Sequence, residues 1–240
     1  MSLELILGPM FAGKSSAACQ VIRRNKVIGR PTICITSALD TRYTAEPSIT
    51  SHNKESYPAT ATKELLPILQ LEEFVRASCV IVEEAQFFPD LKEFVLEAVE
   101  MYGKDVICVG LDGDSERKPF GQLVDLIPYA DKIQKLAALC TKCHNGKEAI
   151  FTFRKPGVPS GQVAVGGQDH YAPLCRAHYL ESKRELIIEK FVHEEMERPQ
   201  EREDHVLKQF ERCVKRFGAK EGTHVYQQIL IAQGRLPSMR

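Results

Sequence analysis

The chain has no net charge: 32 lysines and arginines face 32 aspartates and glutamates over 240 residues. A broad positive surplus is what draws a protein to phosphate backbones of any sequence, so its absence argues against a nucleic-acid partner held that way. No apolar run approaches the ~20 residues that cross a bilayer. The N-terminus reads as a strand, not as a secretory signal, so the expectation is a cytoplasmic protein with no membrane partner. Internal repeats and low-complexity tracts are missing, which leaves ordinary globular architecture. No Asn-Lys-x-Asp string occurs, and without it a guanine-reading GTPase switch is excluded. What remains is 43% hydrophobic and 27% charged, the balance of an enzyme able to bury a full core. Eight cysteines outside a secretory context point to reduced thiols or a metal site.

The organising stretch is Gly8-Pro9-Met10-Phe11-Ala12-Gly13-Lys14-Ser15. It fits G-x-x-x-x-G-K-[ST], follows an apolar strand candidate at Leu3–Leu7, and precedes helix-forming sequence from Ser16 to Ile28. Glycines allow consecutive backbone N–H groups to surround a phosphate, and the helix start adds unpaired N–H groups and a positive dipole end. Lys14 supplies a mobile charge for terminal phosphates, and Ser15 an oxygen for magnesium. These residues predict a bound nucleoside triphosphate.

Further strands are expected at Pro31–Thr36, Cys79–Val82, Asp105–Leu111 and Ile133–Leu139, with helices over Glu64–Arg76 and Pro89–Tyr102. Strands alternating with helices behind a P-loop make a doubly wound, mainly parallel α/β sheet. Ser37–Thr60 reads as a long loop, opened by Asp40, Thr41 and Arg42 at a strand end, where ligands bind in such sheets. The run Cys79–Val82 ends abruptly in Glu83 and Glu84. An apolar strand ending in acids can orient magnesium near Ser15. Adjacent acids point in different directions, so one can face metal and the other substrate. Asp112–Gly121 is polar, basic and bounded by glycine, the composition of a lid able to lay Arg117 or Lys118 over phosphates.

At Leu139 the character changes. Cys140-x-x-Cys143 and Cys175-x-x-His178 offer three thiolates and an imidazole, a set that suits tetrahedral zinc. Four protein ligands leave no open position, so the site is expected to be structural. His144 and His170 read as solvated. The cysteines at 19, 34, 79, 108 and 213 lie in apolar runs and read as core. From Leu180 the chain is charge-dense and helical. One amphipathic segment there, from Asp204 to Phe217, is ended by Gly218, and a last short helix is expected at Thr223–Ala232. Three parts follow: an α/β nucleotide-binding domain over 1–138, a zinc-binding segment over 139–183 and a helical extension over 184–240.

The strings GPMFAGKS, DTRY, EEAQFFPD, LDGDSERKPFG, CTKC, GGQDHY and CRAH resemble, in order, those of the type II thymidine kinases, the cytosolic zinc-containing class. The resemblance spans about Leu3 to Lys183. It implies transfer of the ATP γ-phosphate to the 5′-hydroxyl of thymidine or deoxyuridine, with magnesium and a structural zinc. It implies that Gly8 to Ser15 hold the donor phosphates with Asp40 and Arg42 assisting, and that Glu84 is the catalytic base. Glu83 stands in place of a family aspartate beside the metal, one methylene longer. Met10, Phe87, Leu111, Phe120 and Thr152 match parts of the thymine pocket. Ser115 stands where an aromatic often lines it. Gln162, Val163, Ala164, Val165 and Gly166, with Tyr171, match a lasso folded over the nucleoside. Cys140, Cys143, Cys175 and His178 match the zinc ligands. The resemblance further implies a homotetramer inhibited by thymidine triphosphate. Two rival readings stand beside it: a P-loop ATPase acting on nucleic acid through a zinc ribbon, and an inactive nucleotide-binding scaffold.

Overall fold

The computed structural model describes residues 1–39, 47–50, 55–159, 161, 166–197 and 205–236. It divides into two compact units, Met1–Tyr179 and Leu180–Arg240. The first is built on strands β1 (Ser2–Leu7), β2 (Thr32–Ser37), β3 (Ser48–Thr50), β4 (Ser56–Pro58), β5 (Thr60–Thr62), β6 (Cys79–Glu83), β7 (Asp105–Gly110) and β8 (Lys132–Lys135). Six of these form one sheet in the order β5-β2-β6-β7-β1-β8. Every pairing within it is parallel, as in Leu5↔Cys108, Val82↔Cys108 and Ile33↔Val80.

Helices α1 (Lys14–Val27), α2 (Glu72–Arg76) and α3 (Leu91–Leu96) flank the sheet. The inner strands β1, β2, β6 and β7 are largely buried on both faces because each face is covered, whereas the edge strand β8 is exposed. Side chains alternate across a strand, and here the alternation feeds two cores. Leu3, Leu5, Leu7, Val80, Val82, Val106 and Cys108 pack with Phe74, Phe88, Leu91 and Phe94. Ile6, Cys79, Ile81, Ile107 and Val109 pack on the other side with Ala18, Cys19 and Ile22 of α1. Helices on both faces make the sheet doubly wound.

Several elements depart from their expected form. The long loop after β2 contains a short hairpin, β3 with β4, and a strand, β5, that extends the main sheet. The helix expected at Glu64–Arg76 is two pieces, a 3₁₀ turn at Leu66–Gln70 and α2, separated by Leu71 in extended conformation. Its first turn is capped from afar: Asp90 Oδ2 accepts the backbone N–H groups of Leu65 at 2.7 Å and Leu66 at 2.8 Å. α3 continues as a π-helical turn over Glu97–Met101. The strand expected at Ile133–Leu139 is divided. β8 joins the main sheet, while β9 (Ala138–Leu139) pairs with β10 (Glu148–Ala149). Beyond them β11 (Phe151–Arg154) pairs antiparallel with β12 (Tyr171–Leu174).

Helix α4 (Arg176–Glu197) starts in the first unit. The second holds its remainder with α5 (His205–Phe217) and α6 (Ala219–Ala232), longer at its start than expected. Cys213, Val225 and Ile229 form its centre, packed by Ile188, Phe191, Val192, Phe217 and Tyr226. Arg212 forks onto the buried Glu195 carboxylate, Nε to Oε1 at 2.9 Å and Nη2 to Oε2 at 2.6 Å. Removing one partner of such a pair would strand the other's charge in an apolar setting.

Candidate active site and metal centre

β6, β7 and β1 are neighbours in the sheet, so the segments leaving their C-terminal ends converge. The loop after β1 is shaped by its glycines. A side chain at Gly8 would bring a Cβ to 2.4 Å of the Leu136 carbonyl oxygen, and Gly13 starts α1 at φ 82°. Phe11 also lies at positive φ, 67°, a strained setting for a residue other than glycine. Lys14 Nζ donates to the Pro9 carbonyl at 2.9 Å, spanning its own loop.

One cavity collects most of the residues singled out from sequence. Met10, Phe11, Gly13, Lys14, Ser15, Glu83, Glu84, Phe87, Leu111, Ser115, Phe120, Thr152, Gly166 and Tyr171 all line it. Gly8, Pro9 and Ala12 belong to the same loop without lining the cavity. Asp40, Thr41, Arg42, Gln162, Val163, Ala164 and Val165 lie outside the described residues. Phe87 and Phe120 meet edge to face with ring centroids 5.4 Å apart. The backbone N–H of Met10 donates to Thr152 Oγ1 at 3.0 Å, which ties the P-loop to β11. The two acids differ in backbone: Glu83 ends β6 and is buried, whereas Glu84 turns left-handed at φ 51°, ψ 40°. Gln86 Nε2 donates to Glu84 Oε2, and Gln86 Oε1 accepts the Leu111 backbone N–H at 3.0 Å.

The segment after β7 brings Asp114 and Ser115 to the cavity, and neither Arg117 nor Lys118 lines it. Asp114 Oδ1 accepts the N–H groups of Glu116 at 2.8 Å and Lys118 at 2.9 Å, closing a tight turn sealed by a bridge between Gly113 and Pro119. Arg117 lies 5.0 Å above the Tyr179 ring and 5.5 Å above that of Phe151, while Lys118 is exposed. Tyr179 donates from its hydroxyl to the Ser115 carbonyl at 2.7 Å.

Arg154 and Asp114 also line the cavity and were missed from sequence. Arg154 follows Thr152 by two along a strand, and residues spaced by two share a face. That spacing was the signal that could have found it. Arg154 Nη1 donates to the Pro159 carbonyl at 3.1 Å, and its guanidinium lies 6.0 Å from the Tyr171 ring centroid.

Cys140, Cys143, Cys175 and His178 place one donor atom each within 4.8 Å of all the others. His178 Nδ1 lies 3.4, 3.3 and 3.6 Å from the sulfurs of Cys140, Cys143 and Cys175, and Cys143 Sγ is 3.7 Å from Cys175 Sγ. A tetrahedron with Zn–S bonds of ~2.3 Å and Zn–N bonds of ~2.0 Å has edges of about 3.5–3.8 Å. The donor set therefore fits zinc in both chemistry and spacing. Burial works to raise the Cys140 thiol, but the Cys175 backbone and the His178 ring outweigh it and bring it down to about 6. Cys143 moves the other way, pushed up to about 11 by burial and by the two neighbouring thiols. Sulfurs this close cannot all ionise without a cation among them. The other cysteines are buried, as expected. Of the spare histidines, His144 is exposed and His170 is half-buried beside Tyr171, and neither belongs to the donor cluster.

A P-loop after the first strand, a carboxylate pair at the end of β6 one strand removed from it, and a Cys3His cluster define a P-loop α/β nucleotide-binding protein with an appended metal site. The family model described as thymidine kinase matches residues 1–179. The chain belongs to this family, and thymidine kinase is its function. It is 38% identical over 182 residues to thymidine kinase a of Arabidopsis thaliana, covering 75% of each chain. It is 37% identical over 180 residues to the thymidine kinase of Variola virus, covering 75% of this chain and 97% of that one. With the cytosolic thymidine kinase of Homo sapiens it shares 37% over 177 residues, 74% of this chain and 72% of the human one.

Proposed function

We propose that the chain transfers the γ-phosphate of ATP to the 5′-hydroxyl of thymidine or deoxyuridine. The 5′-oxygen bonds to the γ-phosphorus, the bond to the β-phosphate oxygen breaks, ADP leaves, and the hydroxyl proton passes to the Glu84 carboxylate. The observation that carries this reading is the shared cavity. An anion-binding loop with Lys14 and Ser15, two acids, and the apolar side chains of Met10, Phe87, Leu111 and Phe120 all line one space. Phosphates suit the first group and a pyrimidine base the last, which is what a nucleoside kinase must bring together.

In this reading Gly8 to Ser15 cradle the donor phosphates, with Asp40 and Arg42 assisting. Ser15 and Glu83 would hold magnesium, which would supply positive charge to offset that of the donor phosphates. Thr152, Ser115 and Tyr171, with the segment from Gln162 to Gly166, enclose the nucleoside. A cytoplasmic homotetramer inhibited by thymidine triphosphate completes the proposal. Support for the cytoplasmic part is the named cytosolic relative.

The test is a panel of nucleosides with ATP and magnesium, scored for 5′-monophosphate. Thymidine and deoxyuridine are expected to be converted. ATP hydrolysis that ignores nucleosides but rises with added nucleic acid would overturn the proposal in favour of a nucleic-acid ATPase.

Zinc in the Cys3His cluster is proposed to be structural. Cys175 directly follows β12, and Thr141, between two of the ligands, donates its backbone N–H to Pro173 of β12 at 3.2 Å. The cluster thereby fixes the hairpin that carries both Thr152 and Tyr171. Elemental analysis is expected to find about one zinc per chain. Cys143→Ser should raise the KM for thymidine more than that for ATP. A fully active, metal-free protein would defeat this claim.

A further inference from the structure

Gln86 is 3% exposed, and both ends of its amide are committed. A backbone N–H can only donate, so the amide oxygen must face Leu111 and the amide nitrogen must face the Glu84 carboxylate. The flipped amide would set oxygen against carboxylate oxygen and N–H against N–H. The space around it is fitted: a Cβ added at Gly110 would lie 2.4 Å from Gln86 Oε1. Glu84 itself sits in a left-handed conformation that non-glycine residues seldom take and that persists only where the surroundings fix it.

We infer that Gln86 is a positioning residue, whose buried amide, anchored on the end of β7, aims the Glu84 carboxylate into the cavity. The inference rests on the proposed role of Glu84 as proton acceptor. A carboxylate on a flexible side chain delivers general-base help only when held within reach of the hydroxyl. Anchoring on β7 couples that aim to the strand preceding Leu111, which lines the same cavity.

The two ends of the amide can be tested separately. Gln86→Met keeps length and approximate volume but deletes both hydrogen bonds. Gln86→Glu keeps an oxygen for the Leu111 N–H but sets a second carboxyl group against Glu84, where the two share one proton and Glu84 is no longer a free acceptor. With ATP and thymidine at neutral pH and above, Gln86→Met is expected to lower kcat about 10- to 100-fold, the size of one hydrogen bond to a charged group. Both KM values should stay within about twofold, since ground-state contacts are untouched. Gln86→Glu should lose at least as much. In a Glu84→Gln background, Gln86→Met should cost less than about threefold more, because residues acting as a unit are not additive.

A tie serving only the fold would spare Gln86→Glu and would add its full cost to Glu84→Gln; either result overturns the inference, as does wild-type kcat in Gln86→Met. Thermal unfolding reports whether the variants fold. Should Gln86→Met not fold, Gly110→Ala, which pushes a methyl toward Oε1, carries the same kcat-selective expectation, and unchanged kcat there overturns it. Failure of the underlying reading looks different: Glu84→Gln alone would then keep its activity.

Discussion

Replacing Lys14 with alanine is expected to abolish measurable phosphoryl transfer while leaving the protein folded. The charge that builds on the transferred group has to be met by groups already in place. Losing one such stabiliser costs on the order of 10²–10³ in kcat even when it is an uncharged donor. A full positive charge directed at the terminal phosphates should cost at least that much. The fold has little at stake. Lys14 is the first residue of α1, and the helix is anchored by Ala18, Cys19 and Ile22, none of which would change. Alanine is the best helix former, so the midpoint of thermal unfolding should hardly move. In the structure Lys14 Nζ reaches the Pro9 carbonyl, a contact that bound phosphates would compete for. Near-normal turnover in Lys14→Ala would remove the phosphate-binding role of this loop.

How far the sequence could be read depended on whether a signal was local. The strands at Leu3, Pro31, Cys79 and Asp105 were legible because a parallel strand covered on both faces is a continuous apolar run. The zinc quartet was legible because paired x2 spacings fix ligand geometry before any fold is known. The 3₁₀ turn at Leu66 was not, because its cap is Asp90, remote in sequence. The hairpin of β3 and β4 has three-residue strands of Ser, Ile, Thr, Tyr and Pro, too short for any period to show. The surroundings of Arg117 were hidden because they too are remote in sequence. Its ring neighbours, Phe151 and Tyr179, are supplied by the zinc-bearing segment. Within the site, the acids and the P-loop were plain from motif. Gln86 was not, because an amide buried between two strand ends looks in sequence like any surface glutamine.

The second large effect is expected at the two adjacent acids, and it separates them. Glu84 is proposed to accept the proton of the 5′-hydroxyl as that oxygen attacks phosphorus, help that is typically worth ~10²–10⁴-fold. Glu84→Gln should cut kcat by about that factor and barely alter the affinity for ATP or thymidine, since the amide keeps the size and one acceptor. Glu83 ends β6 as a buried strand residue while Glu84 turns left-handed after it, so the two carboxylates leave the chain in different directions. For Glu83 the proposed task is holding the water shell of magnesium, and Glu83→Gln should raise the magnesium concentration that gives half-maximal rate. Measuring kcat against magnesium for both variants decides between the roles. A pure kcat loss in Glu83→Gln with magnesium dependence in Glu84→Gln would mean the roles are exchanged. Full activity in both would move the catalytic centre away from the end of β6, and the Gln86 inference would fall with it.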